Sequence, residues 1–244
     1  MLQFLTRIPI NIILECKQDN FKKAAFYLPI IGLIVGGIEW AAYYILNIFL
    51  PANINAVLVF IMSVLITGAL HIDGLGDTCD GFYAFKGKDR IIEIMKDSRI
   101  GSYACIAIVV DILLKVSSLT YIIENKLGFI IILAPVIGRL SIVFISLIGK
   151  PAKSTGSGNL FIGNMSRTIV IFAALLSFAI SIILIGVANS AIIFLISLIV
   201  TILINKYSES KINGITGDLL GANNELVEIF VLITYIALNV LSNR

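Results

Sequence analysis

The sequence predicts an all-α, polytopic membrane protein of about seven spans. Three observations carry that reading. Of 244 residues, 59% are hydrophobic and 14% charged, with a mean hydropathy of +1.02, whereas a soluble domain is roughly 45–50% apolar and about 25% charged. The apolar residues come in continuous blocks near the ~20 residues that a helix needs to cross a bilayer. Short segments of alternating polarity, the mark of a membrane β-barrel, are not seen. The whole chain, 1–244, reads as one transmembrane domain whose working parts are the polar loops 71–101 and 206–225. The bilayer is the expected partner, and no nucleic acid is. Cys16, Cys79 and Cys105 are odd in number and have no metal-binding spacing, which argues against a disulfide framework.

Taken in order, residues 1–23 place Phe4, Leu5, Ile8, Ile12 and Ile13 at near-helical spacing around Pro9, as in a segment lying against lipid headgroups or packed on the bundle. The first apolar block follows Lys22 and Lys23, is too long for a signal-peptide core and has no small-residue cleavage site, so it is expected to stay in the protein. The spans are placed at about 25–50, 54–72, 101–123, 127–149, 168–187, 190–205 and 226–242. Gly32 and Gly36 in the first form a small-xxx-small pair suited to close helix packing. A tight turn at Asn189 separates the fifth and sixth. Glu39, Asp111, Lys115 and Arg139 fall within spans, where a charge needs a partner or a function. Asp111 and Lys115, at i and i+4, read as an ion pair. Arg139 should face the bundle and meet an acid or a phosphate.

The most informative stretch is His71-Ile72-Asp73-Gly74-Leu75-Gly76-Asp77-Thr78-Cys79-Asp80-Gly81. On a helix, Asp73, Asp77 and Asp80 fall within roughly 60° of one another. Three carboxylates on one face repel unless a cation sits among them, and hard oxygen ligands suit Mg²⁺, with Mn²⁺ as second choice. A solvated acidic helix end is the plain alternative, but Gly74, Gly76 and Gly81 would then weaken the helix to no purpose. Downstream, residues 88–99 read as a short amphipathic helix, lying on the bilayer or on the bundle, that could hold Asp97 and Arg99 over the metal. A second polar stretch, Gly214 to Glu225, combines three glycines with Thr216, Asp218, Asn223, Asn224 and Glu225. The expected metal ligands are Asp73, Asp77 and Asp80. His71, Asp77, Asp80 and Asp97 are the expected catalytic groups, with His71 as a donor to phosphate or a general base. Lys96, Arg99, Arg139, Thr216, Asp218, Asn223, Asn224 and Glu225 are the expected substrate contacts. Asp218 should come within roughly 8 Å of Asp77 or Asp80, the span of two metal–oxygen bonds and a shared ligand. The loop around Thr155-Gly156-Ser157-Gly158-Asn159 could approach a phosphate through backbone N–H groups or serve as a linker.

Carboxylates, Mg²⁺ and nearby bases at a membrane face fit attack on a phosphoanhydride. Asp77-Thr78-Cys79-Asp80-Gly81 is similar to the opening of the CDP-alcohol phosphotransferase signature, but the rest of that signature does not follow. A closer resemblance is to the cobalamin synthase family. It is carried by Phe4-Leu5-Thr6-Arg7-Ile8-Pro9, by Gly68 to Gly81, by Glu93-Ile94-Met95-Lys96-Asp97-Ser98-Arg99-Ile100-Gly101 and by Gly214 to Glu225. These stretches stand in the family's order and span nearly the whole chain. The resemblance implies the last joining step of the nucleotide loop in cobamide synthesis. There, α-ribazole or its phosphate attacks the phosphoryl group attached to adenosylcobinamide, and GMP leaves. It also implies corrinoid nucleotide and α-ribazole as substrates, and a homo-oligomer or other corrinoid-pathway enzymes as protein partners. A transporter using Glu39, Asp111, Lys115 and Arg139 is the alternative from another class, but transporters concentrate polar groups at midplane, and here most lie in the loops.

Seven spans put fourteen Lys and Arg residues on the side of loop 71–101 and two, Lys126 and Arg244, on the other. The positive-inside rule then places the N-terminus and both polar motifs in the cytoplasm, in a multi-pass protein of the cytoplasmic membrane. In a background without native cysteines, a membrane-impermeant thiol reagent is expected to label a cysteine at position 126 in sealed cells. It should not label one at 86 or 153, and labelling at 86 would overturn the orientation.

Overall fold

The computed structural model describes residues 1–10, 22–84, 86–153, 157–163 and 165–243. Cys16, Lys17 and the Thr155-Gly156 pair lie outside these. Among the described residues the fold is helical. In chain order the helices are α1 (Leu2–Leu5), α2 (Leu28–Leu46), α3 (Ala52–Thr67), α4 (Leu70–Phe82), α5 (Lys88–Ile94), α6 (Ser102–Glu124), α7 (Phe129–Ile148), α8 (Arg167–Ile185), α9 (Val187–Ile212) and α10 (Gly217–Ser242). Six apolar helices are long enough to cross a membrane, with α2 extended back to Lys22. α3 and α4, bent by 89° at their break, are long and apolar enough only as a pair, and bring the number to seven where the pair is one span. The expected bundle of about seven spans is what the chain forms.

α7 is the central element. Ile131, Leu133, Val136, Ile137, Val143 and Ile145 are all buried on it, as are Arg139 and Ser141, so this helix is enclosed on nearly all sides, as a bundle's inner helix must be. The Gly32 and Gly36 pair lets α2 lie directly on it: a Cβ at Gly32 would reach the Pro135 and Val136 backbone, and one at Gly36 would stand 2.8 Å from Ile132 Cα.

Three expected boundaries move, each for a local reason. The second span ends at Thr67 rather than near 72, because Gly68 (φ +63°) and Ala69 (φ +59°) are both left-handed and turn the chain. The Phe4–Pro9 segment is held at this bend. Arg7 N–H donates to Ile66 O at 2.6 Å, and the Arg7 side chain occupies the space beside Gly68 that a Cβ would need. The turn between α8 and α9 falls at Gly186 (φ +78°), while Asn189 sits inside α9 and donates to Ile185 O at 3.1 Å. The last helix starts at Gly217, not 226, with Thr216 as its cap accepting from Leu219 N–H. Both polar motifs are therefore mostly helix rather than loop: 70–82 is α4, and 217–225 is the first part of α10.

α4, with three acids in 13 residues, lies across the end of α3 rather than prolonging the span. It is buried against α10 at a glycine contact. A Cβ on Gly74 would stand 2.5 Å from the Asp218 carbonyl oxygen, and one on Gly221 would stand 3.1 Å from His71 Cα. The remaining side of the α10 N-terminus is closed by residues 150–153. Ile215 N–H donates to Lys150 O at 2.8 Å and Ala152 N–H to Ile215 O at 2.9 Å.

Overpacking at such a contact costs about 1–3 kcal/mol. Gly74→Val is expected to lower the thermal unfolding midpoint in detergent and to reduce turnover. Gly37→Ala, at a position with nothing within 4 Å of a new Cβ, should change neither, and equal effects from the two would contradict the glycine contact.

Candidate active site

The close approach of α4 and α10 brings Asp73 and Asp218 to one cavity of about 120 Å³, lined also by Phe4, His71, Phe161 and Gly221. On the other side of Asp73 lies a second, larger cavity of about 340 Å³, bounded by Asp77, Lys96, Asp97 and Arg99. Asp73 lines both. The two acidic motifs thus lie side by side at one end of the bundle.

Each acid of α4 has its own setting. Asp73 is exposed and Asp77 half-buried. Partial burial, and after it the carboxylates of Asp73, Asp218 and Asp80, push Asp77 up to about 6. Asp80 is engaged differently: its two oxygens accept from Gly101 N–H at 2.6 Å and Ala104 N–H at 2.8 Å. These are free N–H groups at the start of α6, which a carboxylate satisfies and stabilises. The expectation that Asp80 serves the metal meets a side chain already fastened to the next helix. Among the described residues, no group of three or more His, Cys, Asp or Glu side chains is arranged to hold a metal ion. The crowding of like charges around Asp77 fits a hard cation at Asp73 and Asp77, with open positions left for other ligands.

The segment after α5 forms the outer wall. Arg99 grips Asp97 through Nε at 3.0 Å and Nη2 at 2.6 Å, and this hydrogen bonding holds Asp97 down to about 2. Lys96 is exposed beside them. Ile91 and Met95 turn inward against Gly81, so the amphipathic helix read from the sequence anchors on α4 and leaves its polar residues over the cavity.

His71 is 3% exposed, and neither ring nitrogen has a hydrogen-bond partner among the described residues. Burying imidazole nitrogens without partners is costly; the residue lines the smaller cavity, while the charges that act on its ring are those of the interior residues Arg139, Glu228 and Lys115.

The other expected substrate contacts are placed elsewhere. Arg139, Asn224 and Glu225 lie inside the bundle. Arg139 Nη1 pairs with Glu228, and Lys115 Nζ pairs with Glu225 and, at 2.9 Å, with Glu228. Asn224 donates to Glu228 Oε1 at 2.9 Å, and Asn223 to Ser141 Oγ at 2.8 Å. Lys115 thus reaches across to two acids of α10 rather than to Asp111 on its own helix, and among the described residues neither oxygen of buried Asp111 accepts a hydrogen bond. Glu228 is the residue that sequence reasoning passed over. It stands three residues beyond Glu225, on the same helical face, and a count of buried bases, Lys115 and Arg139, against visible partners would have found it.

A family model described as cobalamin-5-phosphate synthase matches residues 1–236. The chain belongs to this family. Among curated relatives, the adenosylcobinamide-GDP ribazoletransferase of Clostridium tetani is 48% identical over 239 residues, covering 98% of this chain and 95% of the relative. The protein of the same name from Clostridium kluyveri is 50% identical over 235 residues, covering 96% and 93%. That of Clostridium botulinum strain Langeland is 49% identical over 233 residues, covering 96% and 94%. No solved structure matches.

Removing one member of a buried ionic group leaves its partner charged and unpaired, at about 3–5 kcal/mol. Glu228→Ala, which strands Arg139, is expected to lower the unfolding midpoint in detergent well beyond Glu93→Ala, whose partner Arg90 is exposed. Similar midpoints for the two would show that the buried network contributes little.

Proposed function

We propose that this family member is a membrane-embedded transferase that joins adenosylcobinamide-GDP to α-ribazole or its 5'-phosphate, releasing GMP and forming adenosylcobalamin or its phosphate. The observation that carries the reading is the near end-to-end match to ribazoletransferases, in a fold that gathers the acids of α4 and α10 at one site. The site faces the cytoplasm in this reading, supported by the concentration of Lys and Arg on that side of the bundle.

The chain's residues do four things. Lys96 and Arg99, exposed at the rim, attract the anionic diphosphate. Asp73 and Asp77 would hold a divalent cation. When bound, such an ion offsets charge on the bridging and leaving oxygens of the diphosphate. Asp80 fixes the position of α4 relative to α6. In this reading His71 receives the proton of the attacking ribose hydroxyl. The hydroxyl oxygen forms a bond to the phosphorus on the cobinamide side, the bond from that phosphorus to the oxygen of GMP breaks, and GMP leaves with both electrons.

Purified protein in liposomes with adenosylcobinamide-GDP, α-ribazole and Mg²⁺ is expected to release GMP and form cobalamin in equal amounts. Asp77→Asn should reduce that rate at least ~10²-fold, about 2.7 kcal/mol of transition-state stabilisation, without changing membrane insertion. Turnover unaffected by EDTA and by Asp77→Asn would remove the metal from the account. No GMP from the wild-type protein would remove the activity.

A further inference from the structure

α8 and α9 form an antiparallel pair joined at Gly186. Phe178 and Phe194, eight residues to either side of that turn, meet edge to face at 5.0 Å. Arg167 stands nineteen residues before Gly186 and Lys206 twenty after it. At 1.5 Å per residue, each base is about 30 Å from the turn, which is the thickness of the hydrocarbon core. Both bases are exposed, and neither forms an ion pair among the described residues. They mark the headgroup level at the end of the bundle where α9 leads into α10 and Asp218.

Below that level, between α7, α8 and α9, runs a groove of about 220 Å³. It is walled by Phe144 of α7, Val170 and Ala174 of α8, and Phe194, Leu195 and Leu198 of α9. Along the helices these walls begin about 5 Å below Arg167, at Val170, and end about 18 Å below Lys206, at Phe194, so the groove lies within one leaflet. Its α9 rim opens to the bilayer: Leu195 is 56% exposed and Leu198 40%. The Ser141 and Thr201 hydroxyls at its edge donate to the Gly138 and Ser197 carbonyls of their own helices, so they ask little of an occupant.

We propose that this groove seats one acyl chain of an anionic phospholipid, whose phosphate is held by Arg167 and Lys206. The helical register connects the two parts. Arg167, Val170 and Ala174 are spaced i, i+3, i+7 on one face of α8, and Lys206, eleven residues beyond Leu195, falls within roughly 20° of it around α9. The bases therefore stand over the groove, not behind it.

The groove and the bases are separate observations that call for one ligand, apolar along its length and anionic at its head. A gap between helices forfeits dispersion contacts, and a lipid chain is the filler at hand in a bilayer. Basic positions between transmembrane helices recognise anionic headgroups, and the aliphatic stems of Lys and Arg can lie on apolar surface while their charged ends reach a phosphate. A second copy docked through the same face would set like charges against each other across the two-fold axis, which disfavours that occupant. The site is apart from the acids of α4 and α10 and stands whether or not the chain is a transferase.

The test measures lipid retained by the delipidated full chain in detergent, by native mass spectrometry, with dioleoylphosphatidylglycerol, dioleoylphosphatidylcholine or inorganic phosphate added singly. One phosphatidylglycerol is expected to bind at least ~10-fold more tightly than phosphatidylcholine, because each of two bases beside a headgroup favours an anionic lipid. Inorganic phosphate, which has no chain, should not displace it. Arg167→Ala and Lys206→Ala should each reduce the preference, and the double variant should bring the two lipids within about two-fold of each other. Lys126→Ala, at the opposite end of the bundle, should leave the preference unchanged. Ala174→Phe, which fills the groove, should abolish retention of both lipids. If that variant does not fold, the base variants, which alter exposed positions only, decide the question. Equal retention of the two lipids by the wild-type protein, a preference that survives the double variant, or retention that survives in folded Ala174→Phe overturns the proposal. So does a dimer that retains no lipid, which would make a second copy the occupant.

Discussion

The contact on which the site depends is between two backbones. A Cβ on Gly74 would stand 2.5 Å from the Asp218 carbonyl oxygen, which excludes a side chain, and one on Gly221 would crowd His71 Cα at 3.1 Å. Because α4 is turned 89° from α3, it meets the first turns of α10 at the end of the bundle instead of running alongside it. Asp73 and Asp218 are thereby brought to one cavity from positions 145 residues apart in the sequence. The left-handed pair Gly68–Ala69 makes the turn, Asp80 ties the far end of α4 to α6, and residues 150–153 brace α10 from the other side. Each device fixes one helix end, and together they set where the acids stand.

Beneath this site lies an ionic cluster that is costly in a membrane. Glu225 and Glu228 hold Lys115 and Arg139 between α6, α7 and α10. A buried ion pair is weak support for stability in itself, but removing one partner is costly because it leaves an unpaired buried charge. Here it joins the three helices that carry or abut the site. α10 contributes to both levels: its first turn lines the cavity beside Asp73 and its next two turns carry the acids of the cluster.

Much of this was legible in the chain. The apolar blocks marked the spans, Gly32 and Gly36 marked a close helix pair, and the i, i+4, i+7 spacing of Asp73, Asp77 and Asp80 marked one helical face. What was not legible has physical reasons. Glycines in both polar motifs read as room for a ligand, yet Gly74 and Gly221 make room for each other, and only the tertiary contact distinguishes the two uses. Polarity suggested that 217–225 was a loop, but buried side chains that find ionic partners let a polar sequence continue as helix. Asn223, Asn224 and Glu225 face the bundle because α10 starts nine residues earlier than hydropathy alone implies. Asp80 looks the same as its neighbours in sequence; its role as a cap depends on the start of α6, 21 residues away.

The convergence of α4 and α10 is tested most directly by cross-linking. In a chain lacking native cysteines, Asp73→Cys and Asp218→Cys are introduced with a protease site between residues 150 and 167. A short bis-thiosulfonate is added to native membranes and the chain is then cut. The account predicts that the two fragments stay joined through the reagent and separate on reduction. Fragments that separate although each cysteine reacts singly would contradict it.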